Sequence, residues 1–71
     1  MTFNTQRFAQ ELLEHRQKQR LTYRAAAEEI GITAGTLHRL EKGGKPHIDV
    51  FVSICFWAGW QQRAHFFFKP S

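Results

Sequence analysis

Apolar residues recur along this chain at helical spacing. Between Thr5 and Gln19, Phe8, Leu12 and Leu13 stand at i, i+4 and i+5 and Arg16 continues their face, while Gln6, Arg7, Glu11, Glu14 and Lys18 take the other. This predicts an amphipathic first helix, with Glu14 and Lys18 as an i, i+4 pair worth about 0.3 kcal/mol. Thr22 is a suitable N-cap for a second helix, because its hydroxyl can accept an orphan backbone N–H. That helix presents Ala26, Ala27 and Ile30 on one face and stops at Gly31, where glycine tolerates a left-handed backbone. Thr33 caps a third helix that buries Leu37 and Leu40 and ends at Gly43-Gly44. A fourth begins after Pro46 and ends near Gly59, and a short fifth covers Gln61 to Phe67. No alternating pattern appears, so no strand is expected. With no repeat, linker or low-complexity run, residues 1–71 read as one all-α domain of five helices.

The joint between the second and third helices has a recognisable spacing. Ala27 is small where a crossing helix would come close, Gly31 frees the turn, and Leu37 plugs the next helix into the core, with Ile30, Ile32 and Leu40 filling around it. These are the offsets of a helix-turn-helix over about residues 22–42, an arrangement that leaves one face of the third helix free for a DNA major groove.

Composition narrows the partners. Ten Lys and Arg against six Asp and Glu give a net charge of +4, which favours an anionic partner. Cys55 is the single cysteine, so no disulfide within the chain helps a small core, and the lone thiol suits a reducing, cytoplasmic setting. The longest apolar-rich run, "VFVSICFWAGW", is shorter than the roughly 20 residues a bilayer requires. His15, His38, His47 and His65 show no metal-ligand spacing with one another or with Cys55, and "EKGGKP" lacks the strand–loop–helix setting of a phosphate loop. No enzyme, metal or cofactor is expected, and Cys55 on the apolar face of the fourth helix reads as an inert core thiol.

The segments "LT" at 21–22, "AAEEIGIT" at 26–33, "TLHRLEKG" at 36–43 and "KPHIDVFVSIC" at 45–55 together resemble the lambda-repressor-like, or XRE/Cro-repressor, helix-turn-helix family, over about residues 8–67. The resemblance implies that the third helix reads bases with Thr33, Ala34, Gly35, Thr36, His38 and Arg39. A guanidinium can bond guanine O6 and N7 together, which favours Arg39 for readout; the alternative is a phosphate contact. His38 either meets a base or phosphate or is simply solvated. Many family members carry Gln or Ser where this chain has Tyr23, Ala34 and Gly35, so direct readout is expected to be sparse and DNA shape to matter more. Phosphate contacts are expected from Thr22, Tyr23 and Arg24 at the start of the second helix and from Lys42, Gly43, Gly44 and Lys45 after the third. Two alternatives stand beside this: Tyr23 packs on the third helix, or the loop is merely solvated.

Two charges are anomalous where they stand. Arg16 interrupts an apolar face, and Glu41 sits at the negative end of its helix. The resemblance suggests that they form a structural ion pair. The last third of the chain is rich in apolar residues, and seven Phe and two Trp are many for 71 residues. The family pattern turns Ile48, Phe51, Ile54, Cys55 and Ala58 to the core. Val50, Phe56, Trp57, Trp60, Phe66, Phe67 and Phe68 are left as a candidate homodimer interface. The alternative is a monomer whose tail folds back over the first helix. The expectation is a DNA-binding transcriptional regulator, a phage-type or autoregulatory repressor binding a palindromic operator in double-stranded DNA as a dimer. The alternative is an antitoxin or other interaction module whose aromatic patch holds a partner protein. RNA binding has only the charge in its favour.

Overall fold

A computed structural model describes residues 2–69. Its elements are β1 (Thr2–Phe3), α1 (Thr5–Lys18), α2 (Tyr23–Ile30), α3 (Ala34–Glu41), α4 (Ile48–Ala58), a 3-10 turn (Ala64–Phe67) and β2 (Phe68–Lys69). The four α-helices fall where the apolar spacing places them, and their starts follow side-chain chemistry. The Asn4 side chain accepts from Arg7 N, Thr22 Oγ1 from Ala25 N and Thr33 Oγ1 from Thr36 N, each at 3.1 Å.

All four helices end in the same way. A residue with positive φ follows the last turn (Arg20, Gly31, Gly43 and Gly59), and the next backbone N–H reaches back to the final turn. These bonds run from Leu21 to Arg16 O (3.1 Å), Ile32 to Ala27 O (2.9 Å), Gly44 to Arg39 O (3.0 Å) and Trp60 to Cys55 O (2.7 Å). Three of the four positions hold glycine; Arg20 adopts φ +58° with a side chain attached.

The fifth α-helix is not formed, and two strands appear where none was expected. After Gly59, Trp60 turns into the core, and residues 64–67 make only a 3-10 turn before the chain extends. β1 and β2 pair antiparallel, Thr2 with Lys69 and Phe3 with Phe68, and Asn4 N donates to Phe67 O. Two-residue strands are too short to show alternation. Their partners also lie at opposite ends of the described chain, beyond the reach of any local pattern.

The core joins Phe8 and Leu12 of α1, Ala26, Ala27 and Ile30 of α2, Leu37 and Leu40 of α3, and Phe51, Ile54 and Cys55 of α4. Aromatic rings close its floor. Phe8 meets Phe3, Phe51 and Phe67 at centroid distances of 5.3, 5.4 and 5.2 Å, largely edge to face. Burying each of these side chains contributes about 1.5–3 kcal/mol.

This packing changes the expected interface. Trp60 and Phe67 are core residues and offer no surface to a partner. Val50 and Phe68 pack against the core's edge, and half-buried Trp57 donates from Nε1 to Glu29 at 2.9 Å. Of the seven interface candidates only Phe56 and Phe66 are exposed. The reason is the tail, which folds back over α1 and β1. Ile48, expected in the core, is 73% exposed: as the first residue of α4 it precedes the helix's contact with its neighbours.

Candidate nucleic-acid interface

α2 and α3 are joined by Gly31, Ile32 and Thr33. Gly31 takes φ +93°, and both its N–H and that of Ile32 donate to Ala27 O, at 2.8 and 2.9 Å. A side chain there would be strained. Ala26 and Ala27 are buried, which lets α3 cross close to α2, and Leu37 and Leu40 anchor α3 from its inner side.

The outer side of α3 carries the expected readout residues. Thr33, Gly35, His38 and Arg39 are exposed, and Ala34 and Thr36 are half-buried. The Thr33 hydroxyl donates to that of Thr36 at 2.8 Å, so the cap also engages Thr36. A Cβ built on Gly35 would meet nothing, which leaves the α3 backbone open to close approach from outside. Gly44 differs: a Cβ there would lie 3.0 Å from both Cγ and O of Arg39. The loop after α3 thus packs directly on the stem of Arg39, and only glycine fits without moving it.

Tyr23 opens α2 with its ring already engaged. The Arg16 guanidinium lies over its face, 4.1 Å from the centroid, and His38 meets it edge-on at 5.3 Å. The expected packing of Tyr23 against α3 is therefore present, and it orders His38 from one side.

Arg16 and Glu41 form a two-pronged pair, Nε to Oε2 at 2.7 Å and Nη2 to Oε1 at 3.0 Å, while Nη1 donates to Leu21 O at 2.9 Å. The Glu41 side chain is 2% exposed. Its hydrogen bonds push the Arg16 guanidinium above its ordinary value, so the cation persists. The pair ties the C-terminal half of α1 to the end of α3 and holds the angle at which α3 is presented.

Among the described residues the other ion pairs link Arg7 and Arg63 to Glu11. Arg24, Arg39, Lys42 and Lys45 stand outside every such pair and are exposed. Thr22 is exposed beside Arg24, and half-buried Gly43 and Gly44 lie between the two lysines. Sequence reasoning missed Arg20, an exposed cation two residues before the α2 cap. Its signal lay in the helix-end geometry, which requires a left-handed residue there.

The remaining chemistry is quiet. Burial pushes the Cys55 thiol up, away from the thiolate needed for reaction. Among the described residues no three His, Cys, Asp or Glu side chains gather closely enough to hold a metal ion, and no helix is long and apolar enough to cross a membrane.

A family model described as a helix-turn-helix domain matches residues 7–56, from within α1 through most of α4. Comparison with curated proteins gives no match. With that span and the α2–turn–α3 geometry together, the chain belongs to the helix-turn-helix domain family, in its XRE-like branch.

Proposed function

We propose that this protein is a sequence-specific transcriptional regulator, a repressor of phage or autoregulatory type that acts in the cytoplasm and binds a palindromic operator as a dimer. α3 enters the major groove of double-stranded DNA, and the protein represses by occupying its site. The observation that carries this reading is the outer face of α3. Arg39 projects there beside His38, its stem close to the Gly44 backbone, with no acidic partner among the described residues, while Lys42 and Lys45 flank it. Arg39 reads a base, with a guanine edge as its natural acceptor pair. Arg24, Lys42 and Lys45 bind phosphates, as do the N–H groups at Thr22 and Tyr23 and the backbone at Gly43 and Gly44. Thr33, Ala34, Gly35 and Thr36 supply close contact and little hydrogen bonding, so sequence preference comes partly from DNA shape.

Selection from random duplex DNA tests this, comparing the wild type with Arg39→Ala and Lys42→Ala. The wild type is expected to enrich an inverted repeat. Arg39→Ala is expected to lose preference at one base pair per half-site, at a cost of about 1–3 kcal/mol. Lys42→Ala is expected to weaken all sequences alike and to lower the salt slope by about 1. Weak, salt-sensitive binding with no enriched site would overturn the reading. Equal losses from Arg39→Ala on every sequence would reassign that residue to phosphate.

A further inference from the structure

Four side chains from three helices touch in succession and close a circuit that begins and ends on α3. Glu41, the last residue of α3, holds the Arg16 guanidinium of α1 by two hydrogen bonds, 2.7 and 3.0 Å long. That guanidinium lies 4.1 Å from the ring centroid of Tyr23, the first residue of α2. The Tyr23 ring also meets the His38 ring of α3, centroids 5.3 Å apart and planes at 65°. The ion pair inside the fold therefore reaches, through one half-buried aromatic ring, a side chain on the exposed face of the recognition helix.

His38 keeps its polar capacity unspent. Among the described residues no hydrogen bond involves its imidazole, and the residue is exposed. An aromatic contact holds the ring while its nitrogens stay free. A side chain already held gives up less rotamer freedom on binding than one that turns in solvent. Successive helix residues stand about 100° apart around the axis, so His38 and Arg39 leave α3 in different directions. Their neighbours differ too: the Arg39 stem lies close to the Gly44 backbone, and His38 lies against Tyr23.

We propose that His38 reads a second base pair in each half-site and that Tyr23 is its positioning residue, with Arg16 and Glu41 holding Tyr23 in turn. This rests on the DNA-reading role of α3 proposed above. His38 donates a ring N–H to an acceptor on a purine edge, N7 or the O6 of guanine. Tyr23 acts through its ring, because both of its contacts are made to aromatic surface. Leucine supplies similar bulk without that surface, and phenylalanine supplies the surface without the hydroxyl.

Selection from random duplex DNA with full-length variants tests this. His38→Ala is expected to lose about fivefold or more of the preference at one base pair per half-site, distinct from the pair lost in Arg39→Ala. Tyr23→Leu is expected to lose the same preference as His38→Ala, to keep that of Arg39, and to add nothing when combined with His38→Ala. Tyr23→Phe is expected to keep both. The retained Arg39 preference shows that α3 is still folded and presented. In the free protein, NMR is expected to show NOEs between the Tyr23 and His38 rings, and their absence overturns the positioning without any DNA. Full preference in Tyr23→Leu overturns it as well. Equal losses in Tyr23→Phe and Tyr23→Leu move the role to the hydroxyl and overturn the account through the ring. Joint loss at the His38 and Arg39 base pairs reduces Tyr23 to a general support of α3. A wild type that enriches no site overturns the regulatory reading and this assignment with it, whereas every other failure leaves that reading standing.

Discussion

Removing the carboxylate of Glu41 (Glu41→Ala) strands a cation inside the fold. The Arg16 side chain is 12% exposed and its partner 2%, and Glu41 accepts two of the three hydrogen bonds the guanidinium makes. The truncated protein keeps the Leu21 carbonyl and the Tyr23 ring around Arg16 but no anion. Breaking such an enclosed pair from one side costs about 3–5 kcal/mol, whereas an exposed pair is worth about 0–1. At about 0.05–0.15 kcal/mol per residue, a domain of this size holds roughly 4–10 kcal/mol in all. Glu41→Ala therefore consumes about half of the stability, and Tm falls by roughly 12–40 °C. Urea denaturation followed by tryptophan fluorescence of Trp57 and Trp60 gives the loss directly. Replacing both partners (Arg16→Met with Glu41→Leu) should recover most of it, because no charge is left unpaired; the Leu21 carbonyl then forfeits a bond worth about 1 kcal/mol. The reasoning is refuted if Glu41→Ala costs under about 1 kcal/mol. It is equally refuted if the double replacement is as unstable as the two single losses added together.

Arg20→Gly is expected to stabilise the protein. A Cβ in the left-handed region costs about 1–2 kcal/mol, and glycine returns about 0.5–1 of that through its freer unfolded chain. The net gain is about 0.5–1 kcal/mol, read as a rise in Tm of about 2–8 °C; a fall would mean that the arginine side chain holds a contact the fold needs. Stability should also depend on His15, whose rings of contact are Trp57 and Trp60 at 4.9 and 5.8 Å. Burial, with a smaller contribution from the Lys18 charge, holds its imidazole below the usual histidine value. The unfolded chain then binds this proton more readily than the folded one, so the contribution is complete above about pH 6.5 and is lost as pH falls through the lower, folded value. Proton NMR titration of the His15 ring checks the direction, and His15→Gln should flatten the fall in stability below pH 6.5; an unshifted titration would sink the idea.

What was legible in the sequence was local. Thr22 and Thr33 announce helix starts by their own hydroxyls, Gly31 and Gly59 announce stops, and Phe8, Leu12, Leu37 and Leu40 mark inner faces by spacing alone. Arg16 and Glu41 were legible as a pair because each was out of place without the other. The outer face of α3 was legible in the same way, as the side its buried leucines leave open. The tail was not. Phe66, Phe67 and Phe68 are three identical neighbours with three fates: exposed beside two arginines, fully buried, and paired with Phe3 across the ribbon. No property of a phenylalanine decides among these. The choice is made by β1, at the far end of the chain, and by the space left under α1. Ile48 was misplaced for a related reason: a helix's first residue shares the periodicity of its inner face without sharing the contact.

The ribbon also constrains the order in which this protein can assemble. α2, the turn and α3 are sequence neighbours and can find one another through short loops. Residues 3 and 68 cannot meet until nearly the whole described chain has been drawn into one loop, whose closure entropy must be met before any ribbon contact repays it. Yet Phe3, Trp60 and Phe67, which floor the core, all lie outside the span 7–56 that carries the family pattern. On a ribosome the helix-turn-helix segment is therefore complete before Trp60 and Phe67, the last rings of its aromatic floor, are made. Until Phe67 is made and seated, the helices close over a core that lacks one of its fully buried rings.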